Sequence, residues 1–129
     1  MVSVKPSKPF NSVKPSKPFN KELENVLSYA LTEFGATTVK RFNKEYSNIS
    51  RRLSAHPLSS PKEPLLRKFQ RPYRSATIRK NWKIIYRYDK NYDRAVLVDL
   101  WDMRRILKHS LDNLRRNYKT KEDASQILF

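Results

Sequence analysis

YRSATIRKNWKIIYRYDKNYDRAVLVDLWDMRR, the stretch from Tyr73 to Arg105, contains three segments rich in β-branched and aromatic residues. They run from Tyr73 to Ile78, from Trp82 to Tyr88 and from Ala95 to Trp101, and polar residues typical of turns separate them. Connections this short join antiparallel strands as hairpins. The stretch therefore predicts three consecutive antiparallel strands.

The middle segment predicts a sheet with two different faces, because side chains alternate between the faces of a strand. One set is apolar and aromatic, and it comprises Trp82, Ile84, Tyr86 and Tyr88. The other set is partly cationic, and it comprises Lys83, Ile85 and Arg87. We therefore expect a core side and a charged side, and a charged side of this sign favours a polyanionic partner.

The composition limits both the fold and the partner. A chain of 129 residues is long enough for one domain and short for two. Its 28 basic and 12 acidic residues give a formal charge of +16, which favours RNA, DNA or an acidic protein as partner. The apolar runs are too short to span a bilayer and no secretory signal precedes them, so we expect a cytoplasmic protein that does not bind membranes.

Several residue types that support catalysis or cofactor binding are scarce. The chain has no cysteine, two separate histidines and one glycine. These counts exclude disulfides, thiolate catalysis and cysteine-ligated zinc, and they leave no histidine cluster for a metal. A single glycine cannot make a glycine-rich phosphate loop. We therefore expect neither a metal nor a cofactor, and any phosphate would be held by side chains.

The N-terminal region carries a perfect repeat. Residues 3–11, SVKPSKPFN, recur unchanged at 12–20. A nine-residue unit with two prolines is too short for a solenoid repeat. We predict that residues 1–11 form a flexible basic leader outside the fold, and that Ser12 to Lys14 in the second copy adds an edge strand, where proline is tolerated.

Two amphipathic helices are predicted next. The first would begin at Asn20 as N-cap and end at Gly35, and the second would begin at Thr37 or Thr38 and end at His56. Apolar residues recur at helical spacing in both: Leu23, Val26, Leu27, Ala30, Leu31 and Phe34, then Val39, Phe42, Tyr46, Ile49 and Leu53. We expect an antiparallel hairpin whose apolar stripes pack on each other and on the sheet.

The remaining segments complete the predicted architecture. Residues 57–72 hold four prolines, so we expect an ordered loop, which Leu65, Leu66 and Phe69 anchor to the core. A third helix is predicted from Met103 to about residue 117, followed by a polar tail at 118–129. The predicted fold is α+β: a two-helix hairpin on a small, mostly antiparallel sheet in the order β-α-α-β-β-β with a short C-terminal helix, in one domain at 12–117.

This element order, together with the strings NWKIIYRYD (81–89) and VLVDLWDMRR (96–105), resembles the RelE/ParE superfamily of bacterial type II toxins over roughly residues 12–112. In that family the penultimate strand commonly has an aromatic residue, a basic residue, two aliphatic residues and a tyrosine, as from Trp82 to Tyr86 here. The last strand runs into a corner that bears arginine, here Asp102 to Arg105. The resemblance implies the toxin of a toxin–antitoxin module.

The nucleases of this family cut mRNA on the ribosome without a metal, by attack of a ribose 2′-hydroxyl on the adjacent phosphate. The reaction needs a base, cations for the negative charge that develops on the phosphorus, and an acid for the leaving oxygen. By the resemblance, the predicted catalytic residues are Lys83, Asp102, Arg104 and Arg105. The predicted RNA- or phosphate-binding residues are Arg67, Lys68, Arg71, Arg74, Arg79, Lys80 and Arg87.

The sequence departs from the family pattern at two points. Asp102 stands where many members carry histidine, and the tyrosine that some nucleases place after the corner has no counterpart before Tyr118. A carboxylate, Asp102 or Glu63, is therefore the candidate base. Each residue also has a purely structural interpretation: Asp102 as an ion-pair partner of arginine, and Tyr86 and Trp101 as packing residues.

Three functions remain open at this level. The first is a ribosome-dependent mRNA endoribonuclease that inhibits translation, with the ribosome and mRNA as partners. The second is a non-enzymatic poison of DNA gyrase, of the ParE kind. The third is a basic nucleic-acid-binding module without toxicity. For either toxin the resemblance implies a cognate acidic antitoxin, whose charge would complement this basic chain.

Overall fold

The computed structural model describes residues 13–69, 71–106 and 118. The strands are β1 (Val13–Pro15), β2 (Tyr73–Ile78), β3 (Trp82–Asp89) and β4 (Arg94–Asp102). The helices are α1 (Lys17–Phe34), α2 (Ala36–Ala55) and α3 (Met103–Ile106), and a 3-10 turn spans Pro64–Leu66. The predicted α+β class and element order are confirmed. The leader at 1–11, the third helix beyond Ile106 and the tail apart from Tyr118 lie outside the described residues.

The four strands form one sheet in the order β1-β4-β3-β2. The strand β1 runs parallel to β4, with Val13 opposite Ala95, and the other two pairings are antiparallel. The register between β3 and β4 shifts once, because Ile85 lies opposite Asp99 whereas Tyr86 lies opposite Leu97. This shift is a β-bulge at Val98, the extra residue on β4.

The first helix begins earlier than predicted. Ser16 is the N-cap, and its Oγ accepts a hydrogen bond from the backbone N–H of Phe19 at 3.2 Å. Asn20, the predicted cap, lies within the helix and donates its backbone N–H to the carbonyl of Ser16. The prediction was wrong because Ser16 and Asn20 are both favourable N-cap residues. Pro18 at the second helical position is compatible with the earlier start, since the first turn needs no amide donor there.

A single residue connects the two helices. Gly35 ends α1, as predicted, and is also the N-cap residue of α2, so neither Thr37 nor Thr38 caps that helix. Its φ of 87° lies in the region that only glycine adopts readily. The side-chain hydroxyl of Thr38 instead donates to the carbonyl of Phe34. The helix α2 ends at Ala55, before His56 and Pro57, as the sequence predicts.

Both helices cover one face of the sheet, which we call the helix face. The main core lies between the helices and the sheet. Among the described residues its buried members are Val13, Phe19, Val26, Ala30, Phe42, Leu53, Ala76, Ile78, Trp82, Ile84, Tyr86, Ala95, Leu97 and Leu100. The rings of Phe42 and Trp82 meet edge to face at 5.3 Å between centroids. Leu31 and Phe34, which belong to the predicted apolar stripe of α1, are exposed at the end of that helix.

The other face of the sheet, which we call the loop face, carries a second and smaller core. We call it the rear core, and its buried members are Leu66, Tyr73, Ile85, Trp101 and Tyr118. Leu65 and Phe69 pack against it, so the proline-rich segment is an ordered loop anchored by the predicted residues. The loop face is therefore apolar at its centre, and its cations lie around that centre.

No helix within residues 13–69 or 71–106 is long and apolar enough to cross a membrane.

Candidate nucleic-acid interface

The sheet separates the predicted catalytic residues. Lys83 lies directly opposite Trp101 across the β3–β4 ladder, and its neighbour Trp82 lies opposite Asp102. Residues directly opposite each other point to the same face, and successive residues point to opposite faces. Because Trp82 belongs to the main core, Asp102 is on the helix face and Lys83 is on the loop face. The structure therefore does not bring Lys83 together with Asp102.

Arg104 closes over Asp102 at the end of β4. The Asp102 carboxylate, 6% exposed, accepts hydrogen bonds from the backbone N–H, Nε and Nη2 of Arg104 at 3.0, 3.2 and 3.3 Å. The guanidinium also stacks over the rings of Phe34 and Trp82, at 4.6 and 5.0 Å from their centroids. These contacts tie the corner after β4 to the end of α1. The side chain of Arg105 lies outside the described residues.

Lys83 is paired with a buried carboxylate from the loop. Its Nζ lies 2.7 Å from Oε1 of Glu63, whose side chain is fully buried. The same oxygen accepts from Ser75 Oγ at 3.0 Å, and Oε2 accepts from the N–H of Leu65 at 2.8 Å. The backbone N–H of Glu63 donates to the carbonyl of Tyr73. Glu63 thus holds the loop on β2, and burial keeps its carboxylate from a bound substrate.

A group of arginines lies at the other end of β3. Arg87 is partly buried on the loop face, and burial together with the neighbouring charge of Arg71 lowers its pKa, whereas Asp89 raises it. Arg94 pairs with Asp89 at 3.4 Å and lies over the ring of Tyr92 at 4.4 Å. Arg87 follows Lys83 by four strand residues, which corresponds to roughly 13 Å along β3. Two cationic areas therefore lie on either side of the rear core.

The other predicted phosphate-binding cations occupy different surroundings. Arg67 and Lys68 are exposed on the loop, outside the rear core. Arg74 is bound by the loop itself, since its Nη1 donates to the carbonyls of Ser60 at 2.6 Å and Leu58 at 3.4 Å.

The turn between β2 and β3 carries the last two of these cations, Arg79 and Lys80. Both have positive φ angles, 49° and 68°. Non-glycine residues adopt such angles mainly in tight turns. This turn fixes the two cations at the end of the sheet where Trp82 and Asp102 also lie.

Sequence reasoning missed two cations that the structure places next to Lys83. A cleft of about 410 Å³ at the outer edge of β2 is lined by Arg52, Ser59, Ser60, Lys62, Thr77 and Lys83, among others. Arg52 is in the last turn of α2, and Lys62 is in the loop that follows. These cations could have been recognised from the sequence, because Arg52 near the end of a predicted helix is followed closely by two serines and Lys62.

Tyr118 is buried in the rear core. Its hydroxyl donates to Oδ2 of Asp99 at 2.9 Å, and the same oxygen accepts from Nε1 of Trp101 at 3.2 Å. Burial, and secondarily the charge of Asp99, raises the pKa of Tyr118 well above its usual value. A fully buried hydroxyl with this pKa is a poor proton donor to a substrate. Trp101 is also buried in the rear core, which agrees with its interpretation as a packing residue.

Within the described residues, no three His, Asp or Glu side chains are grouped in a way that could hold a metal ion. A comparison of the chain with protein-family models found no matching family, and a comparison with curated proteins found no significant match.

Proposed function

We propose that this protein is a toxin of the RelE/ParE kind that binds RNA on its loop face and inhibits translation by cleaving mRNA on the ribosome. The observation that carries the proposal is the placement of the cations relative to the helices. The helices cover one face of the sheet, while Lys83 and Arg87 lie on the other, beside the exposed Arg67 and Lys68 of the loop. Of the helices in the described residues, α1 and α2 lie on the opposite face, so RNA can approach Lys83 and Arg87 without displacing either of them.

The chemistry available on the loop face is electrostatic. Among the described residues, the two candidate bases, Glu63 and Asp102, are both buried in ion pairs. Lys83 retains 23% side-chain exposure and offers an ammonium group to a phosphate. A cation aimed at the developing charge can lower the barrier without exchanging a proton. In this proposal Lys83 stabilises the phosphorane and the ribosome positions the reacting 2′-hydroxyl. Solvent water takes the proton from that hydroxyl and returns one to the departing 5′-oxygen.

A second candidate function is the non-enzymatic gyrase poison. The observation that favours it is the separation of Lys83 from Asp102 and Arg104 by the sheet, together with a carboxylate partner for each cation. A binding protein needs no converging base and acid, and the long hairpin of 18 and 20 residues offers a binding element. In both cases a cognate acidic antitoxin would neutralise the cationic surface.

Induction of the chain in bacterial cells tests the proposal and separates the two functions. We expect translation to stop early, and primer extension should show mRNA cuts that depend on ribosome transit. Co-expression of the small acidic protein encoded beside the toxin should restore growth. Early DNA damage with intact mRNA would instead support the gyrase poison, and normal growth at full expression would contradict both.

The site is tested by a variant that leaves no buried charge unpaired. Lys83→Met with Glu63→Gln removes the cation and its counter-ion together, because removing Lys83 alone would leave a buried carboxylate without its partner. We expect cleavage to fall about a hundredfold, as for loss of one transition-state contact. The matched control is Lys90→Met, which removes an exposed cation in the β3–β4 turn and should leave cleavage unchanged. Equal cleavage by both variants would exclude Lys83 from the site.

A further inference from the structure

The cleft at the outer edge of β2, which we call the edge cleft, combines cations with hydroxyl groups. Arg52, Lys62 and Lys83 contribute the cations, and Ser59, Ser60 and Thr77 contribute hydroxyls. No carboxylate and no aromatic ring is among its lining residues in the described part of the chain. Glu63 follows Lys62 in sequence, and its buried carboxylate is bound by Lys83, Ser75 and the N–H of Leu65. The cations of the edge cleft without a carboxylate partner among the described residues are therefore Arg52 and Lys62.

The edge cleft is held in shape before any ligand binds. Arg52 Nη1 donates to Ser59 Oγ at 2.8 Å and to Ser60 Oγ at 3.0 Å. The backbone of Ser60 is fixed on both sides, since its N–H donates to the hydroxyl of Tyr86 and its carbonyl accepts from Arg74. Both contacts of Arg52 use Nη1, and the residue is exposed, so its other guanidinium nitrogens can bind a ligand.

The edge of β2 contributes a backbone donor. The loop pairs with the first half of this edge, where Ser75 donates its N–H to the carbonyl of Pro61. Alternate residues of a strand direct their N–H groups to the same side, so the N–H of Thr77 also points outward, into the edge cleft. In the described chain the pairing of the loop with β2 stops before Thr77. Thr77 is exposed and lines the edge cleft together with Lys62 and Lys83.

We propose that the edge cleft binds a phosphate group of the RNA backbone. Guanidinium, ammonium, hydroxyl and backbone N–H groups are the donors that proteins use for phosphate oxygens. Because the described residues that line the edge cleft include no aromatic ring, we assign it to the backbone of the RNA strand, which it would position without reading its sequence. The inference rests on the proposed function in taking RNA as the ligand, and it adds Arg52, Lys62 and Thr77 as binding residues.

The salt dependence of RNA binding provides the test. The probe is a fluorescently labelled single-stranded oligoribonucleotide, titrated with the wild-type protein and with Arg52→Ala/Lys62→Ala at several NaCl concentrations. We expect about tenfold weaker binding at moderate salt, and a slope of log K against log salt smaller by about 0.7, the contribution of one single-strand phosphate. The matched control is Arg41→Ala/Lys44→Ala, which removes two exposed cations of the same helix outside the edge cleft.

A second variant is needed because Arg52→Ala also removes the hydrogen bonds that hold Ser59 and Ser60 of the loop. Thr77→Glu keeps the contacts of Arg52 with the two serines and places a carboxylate in the edge cleft. We expect it to weaken RNA binding at least as much as the double alanine variant, with an unchanged circular dichroism spectrum. Polyglutamate should compete with the RNA only weakly. Equal competition by polyglutamate would show a site for acidic peptides and would overturn the phosphate assignment.

The outcomes separate this inference from the proposed function. If the wild-type protein cuts mRNA in cells but the cleft variants bind RNA as the control does, the edge cleft inference is wrong and the toxin proposal stands. If the cleft variants lose RNA binding while the wild type leaves mRNA intact in cells, the inference stands and the nuclease proposal fails. No binding of the oligoribonucleotide by the wild-type protein would overturn the inference.

Discussion

The two carboxylates nearest the predicted catalytic cations are bound by those same cations. Asp102 accepts three hydrogen bonds from Arg104, and Glu63 accepts from Lys83, Ser75 and the N–H of Leu65. A buried carboxylate is stable when such partners satisfy it and costly when one partner is removed. The charge pattern that suggests catalysis in the sequence therefore has, at these residues, a direct role in stability.

Arg104→Ala should destabilise the protein by about 1–3 kcal/mol, the usual cost of leaving a buried polar group unsatisfied. The substitution removes the ion pair with Asp102, which is 6% exposed, and the stacking over Phe34 and Trp82. Chemical denaturation monitored by tryptophan fluorescence would measure the loss.

Two further variants show whether a loss of stability in Arg104→Ala comes from the contacts of Arg104. Arg104→Ala/Asp102→Asn should recover part of the lost stability, because the amide carries no charge that needs a counter-ion. Arg67→Ala removes an exposed arginine of the loop and should change stability by no more than about 0.5 kcal/mol. If Arg104→Ala were as stable as Arg67→Ala, the contacts of Arg104 with Asp102 and the two rings would have no role in the fold.

At the scale of elements, the strands were the most predictable part of the chain. The alternation in β3 depends on local sequence, and the predicted range of β2 agrees with the structure to the residue. The edge strand β1 was placed within one residue, since proline restricts such a segment to the edge of a sheet. The helix start was less predictable, because Ser16 and Asn20 are both good N-caps and only the backbone geometry distinguishes them.

The candidate site was harder to predict because of the bulge at Val98. With an unbroken register from the β3–β4 turn, Asp102 would have lain on the same face as Lys83. The extra residue reverses the alternation, so Ala95 and Leu97 face the helices together with Leu100 and Asp102. No local sequence signal marks this bulge. The pairing of Lys83 with Glu63, 20 residues away, depends in the same way on the tertiary fold.

The N-cap of α1 leads to a prediction about stability. Ser16→Ala removes the hydroxyl that accepts from Phe19 and should cost about 1 kcal/mol in the free energy of unfolding. Asn20→Ala is the matched control, since Asn20 lies exposed inside the helix, where alanine has the higher helix propensity. Thermal or urea unfolding of both variants measures the difference. A larger loss from Asn20→Ala would restore the cap to its sequence-predicted position.

At the scale of the whole molecule, the sheet has a core on each face, and each core leaves a different surface. The main core is covered by helices, whereas the rear core is covered by a loop whose outer side carries Arg67 and Lys68. The apolar residues that anchor the loop were predicted correctly from the sequence. The same sequence, however, led us to expect that the whole loop face would be charged. It is charged only around an apolar centre, because Ile85 and Trp101 are covered by the loop and Tyr118.

The net charge of +16 leads to a prediction in which salt acts with opposite signs on stability and on binding. Self-repulsion destabilises a compact, highly charged chain, and salt screens it, since the Debye length falls from about 10 Å at about 0.1 M to about 3 Å at about 1 M. We therefore expect the melting temperature to rise by several degrees over this range of NaCl, which corresponds to about 1 kcal/mol in a domain of this size.

Over the same range RNA binding should weaken by a factor of several hundred if about four phosphates are contacted, because each single-strand contact contributes about 0.7 to the slope. Differential scanning fluorimetry and the oligoribonucleotide titration measure the two quantities on one preparation. A melting temperature that falls with NaCl would show that ion pairs such as Lys83 with Glu63 outweigh the self-repulsion of the chain. An RNA affinity that does not change with NaCl would contradict phosphate contacts as the basis of binding, and the edge cleft and the loop face would then lose their assigned ligand.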